Sequence, residues 1–126
     1  MKIIHRYSGT VLFEHESESS RVAVRAALEA KADLSCADLS CADLSGADLS
    51  GADLSGANLD FSSGVPFWCG SFGLKADLRL AAQMAYHFCR IDFPDCVEAQ
   101  AAQEALKPLA NKFHRVEECG KIEVQP

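Results

Sequence analysis

At 126 residues the chain has the length of one domain and is too short for an independent second core. Eighteen acidic against twelve basic side chains leave a formal charge of −6, which argues against direct contact with nucleic acid or an anionic membrane, since both require a basic surface. No run approaches eighteen consecutive apolar residues, and the first twenty carry Lys2, Arg6, Glu14, Glu16 and Glu18 in place of an apolar signal core, so a cytoplasmic protein is expected. The charge is local: residues 32–61 contain Asp33, Asp38, Asp43, Asp48, Asp53 and Asp60 and no Lys or Arg, while the rest of the chain balances at twelve acidic and twelve basic residues.

The N-terminal runs Lys2 to Tyr7 and Thr10 to His15 are β-rich and joined by Ser8-Gly9, a two-residue hairpin signal. Ser17, Ser19 and Ser20 offer N-caps for a helix over about Ser20 to Ala30, with Val22, Ala26 and Ala30 on one face and Leu28 nearby.

From Ala32 the chain reads ADLSC, ADLSC, ADLSG, ADLSG, ADLSG, ANLDF, six five-residue units without interruption. An amphipathic helix is excluded, because residues five apart rotate by roughly 140° and would scatter the leucines. Simple strand alternation does not fit a period of five either. Regular aliphatic content argues against low-complexity disorder. The period therefore predicts a coil whose sides are the units, with Leu34, Leu39, Leu44, Leu49, Leu54 and Leu59 inside and the small alanines sharing that interior. Asp, Asn and Ser then face out, and Gly46, Gly51 and Gly56 fall at corners, the slot that Cys36 and Cys41 fill earlier.

Past Phe61 the frame fails, and Gly64, Pro66 and Gly70 mark an irregular connection containing Phe67, Trp68 and Phe72. Helical spacing resumes over about Ala76 to Ile91, with Asp77 near its start and Leu78, Ala81, Ala85 and Phe88 on one stripe. Asp92 to Asp95 reads as a turn, with Pro94 admissible in the first turn of the next helix. There Val97, Ala101, Ala105 and Leu109 share a stripe, continued by Phe113 and Val116, and Pro108 is expected to kink or break the helix.

The A-D/N-L-S-x units resemble pentapeptide-repeat proteins. That resemblance implies a mainly β fold with α caps: a short right-handed quadrilateral β-helix with four units per coil. Residues 1–31 would form a hairpin and helix cap, residues 32–61 the β-helix, and residues 62–126 a connection and a helical pair capping the other end, one compact domain overall. Six units give about one and a half coils, stacked at the roughly 4.8 Å spacing of strands. Such a stub would expose unpaired backbone at both ends, which is why caps are expected. The layout, including PFWCGS and AYHFCR in the tail, also resembles small phage and prophage members of the family, implying action inside a bacterial host cell.

Chemistry-bearing motifs are sparse. Without a signal peptide the six cysteines are expected as reduced thiols. Cys69, His87, Cys89, Cys96, His114 and Cys119 include zinc-preferred donors, but no C-x-x-C pair occurs and His87 and Cys89 point to different sides of a helix, so neither metal nor cofactor is expected. No nucleophile, base and oxyanion site are brought together by any motif, so no catalytic residue and no enzyme activity are expected.

The functional expectation follows from the acidic repeat: a non-catalytic phage-type protein that binds and blocks a host protein with a basic nucleic-acid-binding surface, as in an anti-CRISPR inhibitor that partly mimics DNA. Asp33, Asp38, Asp43, Asp48, Asp53 and Asp60 would steer the partner, and Phe67 and Trp68 would anchor it. The alternatives are a scaffold held as a homodimer by the C-terminal helices, or a gyrase or topoisomerase inhibitor of the kind the resemblance implies.

Overall fold

In a computed structural model that describes residues 1–65 and 69–124, β1 (Lys2–Ile4) and β2 (Val11–Glu14) pair antiparallel, with Lys2 opposite Glu14 and Ile3 opposite Phe13. The register shifts between Ile3 and Ile4, and the connection is longer than Ser8-Gly9: His5 Nδ1 accepts from the Tyr7 and Ser8 amides, and Gly9 N bonds His5 O. The chain divides into two units, Met1–Ala76 and Asp77–Pro126.

In the first unit, α1 (Ser20–Glu29) begins at Ser19, whose side chain accepts from Val22 N. Its buried residues are Ala23, Val24 and Ala27, whereas Val22 and Ala30 are exposed, so the inward face is rotated from the expected one. Tethers to the repeat set that rotation: Ser20 Oγ accepts from Asp43 N, and Arg25 Nη2 donates to Ser45 O. The hairpin is tied to the repeat as well, through Asp38 N to Ile4 O and Arg6 N to Cys36 O, both 2.8 Å, and through Arg6 Nη1 to Gly56 O.

The mainly β class, with its short right-handed quadrilateral β-helix, is corrected by the structure. Among the described residues the only strands are β1 and β2, three and four residues in one antiparallel sheet, whereas the three longer helices span ten, twelve and fourteen. The repeat consists of tight turns joined by isolated bridges: Asp38 with Asn58, Asp43 with Ser63 and Asp53 with Lys75, all parallel. The physical reason is the unit length. A turn every five residues leaves too few extended residues between corners for consecutive bridges, so no ladder forms.

Within this arrangement the leucines do what their spacing demands. All six are buried, together with Ala37, Ala42, Ala47 and Ala57, while Ala32 and Ala52 are half-buried. The chain returns to itself after twenty residues: Leu39 N donates to Asn58 O, Asn58 N to Ala37 O and Leu44 N to Ser63 O, each at 2.9 Å. The corner slot has left-handed φ throughout, at Cys36, Cys41 and Phe61 as well as at the three glycines. Residues 69–75, read from sequence as an irregular connection, rejoin this arrangement: Leu54 N bonds Lys75 O at 2.8 Å and Lys75 N bonds Ala52 O at 2.7 Å.

In the second unit, α2 (Leu78–Cys89) is capped by Asp77, whose carboxylate accepts from Leu80 N. α3 (Val97–Ala110) runs through Pro108 as one helix, so of the expected kink or break the break does not occur. Proline there forfeits one bond near the helix end, and Asn111 N still reaches Lys107 O at 3.0 Å. A short α4 (Val116–Cys119) follows. The core joins Ala85, Tyr86, Ala110 and Phe113, with Tyr86 stacked on Phe113 at 4.7 Å between ring centroids. Tyr86 donates to Gly120 O at 2.7 Å, and Asn111 clamps Ile122 through both its backbone groups at 2.8 Å. The expected stripes are therefore corrected: Leu78 and Ala81 on α2, and Val97, Ala101 and Ala105 on α3, are exposed.

Candidate functional site

Each repeat aspartate closes its own turn. The Asp Oδ1 of residues 33, 38, 43 and 48 accepts from both the amide and the hydroxyl of the serine two residues on, and Asp53 accepts from Ser55 N at 2.9 Å. Asn58 makes the same turn with its amide oxygen, accepting from Asp60 N at 3.0 Å. The sequence reading had these residues only as outward charge. The signal for the second role was present in the invariant D-L-S spacing, which is an Asx-turn pattern.

These bonds favour the ionised form. The hydroxyl of the paired serine, then its amide, hold Asp33, Asp43, Asp48 and Asp53 below the ordinary value of 3.8. Because the folded values lie lower, their stabilisation is complete above pH 3.8 and is lost as pH falls through the lowered values. Melting temperature is thus expected to stay level from neutral pH to about pH 5 and to fall steeply below about pH 4, with a smaller fall when these four residues are changed to Asn. A level melting curve down to pH 2 in the parent chain would contradict this.

The structure places the expected residues unevenly. Asp33, Asp48 and Asp53 are exposed, and Asp38, Asp43 and Asp60 are half-buried. Arg21 of α1 acts on Asp43, and Lys75 acts on Asp53. Asp33 and Asp48 meet no lysine or arginine among the described residues, while Asp53 repels Asp33 across the twenty-residue spacing. Phe67 and Trp68 lie outside the described residues. Two other aromatics at the ends of the same connection, Phe61 and Phe72, are 72% and 70% exposed.

No three His, Cys, Asp or Glu side chains among the described residues are grouped for a metal ion. All six cysteines are free thiols. Burial pushes the Cys89 thiol up, and it donates to Gln103 O at 3.5 Å, an inert packing role. No helix among the described residues is long and apolar enough to cross a membrane.

No curated protein and no solved structure matches the chain. The family model for pentapeptide repeats (8 copies) matches residues 30–63, the stretch in which the buried leucines, left-handed corners and Asp–Ser turns recur every five residues. On that match and that geometry, residues 30–63 are a segment of pentapeptide repeats, in about the second quarter of the sequence.

Proposed function

We propose that the repeat is a non-catalytic docking surface that binds a host protein through that protein's basic nucleic-acid-binding face and blocks it, as an inhibitor of a CRISPR effector or a related defence protein would. The observation that supports this reading is the confinement of the whole net charge to residues 32–61, with Asp33 and Asp48 exposed and in no ion pair with lysine or arginine among the described residues. Such a surface accelerates and orients association with a basic partner. Phe61 and Phe72 supply exposed aromatic area beside it. Imitation of a long duplex fits less well. DNA presents one charge per about 1.7 Å of axis, and here two of the aspartates already face Arg21 and Lys75.

The test is capture from nuclease-treated bacterial lysate on the immobilised chain. A nucleic-acid-handling protein retained at about 0.1 M salt and released at about 0.5 M is the expected result, lost when Asp33, Asp38, Asp43, Asp48 and Asp53 are changed to Asn. Asn58 shows that Asn closes the same turn, so this variant removes charge and keeps the fold. Capture that survives the variant would overturn the charge-based reading.

One observation favours a second reading, a scaffold dimerised through the helical unit. Val97 is 76% exposed, and Ala101 and Ala105 are exposed on the same α3 stripe. Sedimentation tests it: a dimer that Ala101→Glu converts to monomer supports the scaffold, and a monomeric parent chain contradicts it.

A further inference from the structure

Each strand of the hairpin is followed at once by a histidine that closes the next turn with a ring nitrogen. His5 Nδ1 accepts from the Tyr7 and Ser8 amides, both at 3.2 Å, and His15 Nδ1 accepts from Ser17 N at 3.0 Å. A backbone N–H only donates, so these bonds require Nδ1 without a proton and put the single proton of the neutral ring on Nε2. The Asp turns of the repeat have the same layout, an acceptor two residues before the amide it holds. Acid separates the two kinds of turn. A carboxylate remains an acceptor down to about pH 4, whereas imidazole ordinarily gains its second proton between about pH 8 and 5. Nδ1 then becomes a donor facing donors.

We propose that the hairpin is an acid-sensitive cap, whose two histidine turns release at mildly acidic pH while the Asp turns of the repeat stay closed. The groups around each ring give the released imidazolium somewhere to go. Arg6, next to His5, is bound to the repeat through its amide to Cys36 O at 2.8 Å and its guanidinium to Gly56 O at 3.1 Å, and that guanidinium lies 4.7 Å from the centre of the Tyr7 ring. Across from His5 the repeat is bridged at Ala37, between Cys36 and Asp38, and the Asp33 carboxylate acts on the His5 ring. A new cation beside Arg6 is repelled from the turn and attracted to Asp33. At His15 the Met1 amine bonds His15 O at 2.6 Å and Glu18 at 3.3 Å, and Glu14 and Glu16 flank the histidine in the chain. Those carboxylates offer the His15 imidazolium partners outside its turn. The release is local. The Tyr7 and Ser8 amides are exposed and take water once freed, and the bond from Asp38 N to Ile4 O, at 2.8 Å, involves no ionisable group.

The experiment is nitrogen and proton NMR of the full chain, titrated from about pH 8 to about pH 5. At the alkaline end both histidines are expected as the Nε2–H tautomer, with the Tyr7, Ser8 and Ser17 amides showing the shifts and temperature coefficients of bonded groups. As the rings protonate, these three amides should lose that signature in step with them, while the Ser50 and Ser55 amides, held by Asp48 and Asp53, keep theirs. Changing His5→Asn together with His15→Asn retains an acceptor two residues before the amide, as Asn58 provides for Asp60 N. This variant is expected to keep the Tyr7 and Ser17 amides bonded across the whole range. The Nδ1–H tautomer at the alkaline end, amides that hold their shifts while the rings protonate, or the same loss in the Asn variant would each overturn the proposal.

Discussion

Gly64→Ala is expected to destabilise the protein by about 3 kcal/mol or more, the largest single-glycine effect in the chain. Gly64 has φ of 100°, and a Cβ there would meet the backbone of Leu44 and Ser45, within 2.6 Å of Ser45 Cα. Those atoms belong to the preceding pass of the repeat, where Leu44 N is bonded to Ser63 O at 2.9 Å, so they cannot yield without losing the bridge between Asp43 and Ser63. Gly51→Ala is the control. Its φ is 70° and nothing lies within 4 Å of the added carbon, so only the left-handed cost of about 1 kcal/mol applies. Cys36, Cys41 and Phe61 already carry side chains at that slot. Urea unfolding of the two variants separates the cases, and equal midpoints would show that the Gly64 approach carries no special constraint.

Leu44→Ala comes second, at about 2–5 kcal/mol, because a fully buried leucine in a narrow alanine-lined interior leaves a cavity that rigid turns cannot close. Leu44 is 0% exposed, and the two amides beside it, Asp43 N and Ser45 N, are fixed by Ser20 Oγ and by the Asp43 carboxylate. Leu78→Ala is the matching control. Leu78 is 57% exposed, so a change within about 0.5 kcal/mol is expected although the sequence pattern assigned it to the core. Comparable losses for both leucines would contradict the observed burial.

The contrast between Leu44 and Leu78 shows what was readable in the chain. A strict five-residue period leaves one consistent interior, so the leucines and the corner slot were legible, while the twenty-residue return was implied by the resemblance to pentapeptide-repeat proteins. The fold class was not, because spacing places side chains but does not say whether extended residues are numerous enough to form ladders. The helices failed differently. Alanine is compatible with either face, and α3 has Ala99, Ala101, Ala102, Ala105 and Ala110 distributed around it, so the stripe through Val97 and Ala105 was as regular as the true one. What orients α2 and α3 is tertiary: Tyr86 stacks on Phe113, and Gln103 Nε2 donates to Phe88 O at 2.9 Å and Ile91 O at 2.7 Å, satisfying the end of α2.

In the candidate site, the acidic positions were legible and their restraint was not. Periodicity showed that Asp recurs on the surface, but not that Arg21 and Lys75 act on Asp43 and Asp53, since those cations come from α1 and from the segment that rejoins the repeat. The carboxylates left to face a partner are accordingly fewer than the sequence charge implies, with Asp33 and Asp48 foremost.

As proposed, the repeat recognises a basic protein by charge held on pre-formed turns. The most direct measurement of this is the affinity of the captured partner for the parent chain and for the variant with Asn at 33, 38, 43, 48 and 53, each at two ionic strengths. At least about tenfold weaker binding by the variant at low salt and a flatter salt dependence are expected, with cooperative unfolding retained and the melting temperature at neutral pH lowered by no more than the parent chain loses on acidification. Equal affinity and an equal salt dependence for the two chains would contradict it.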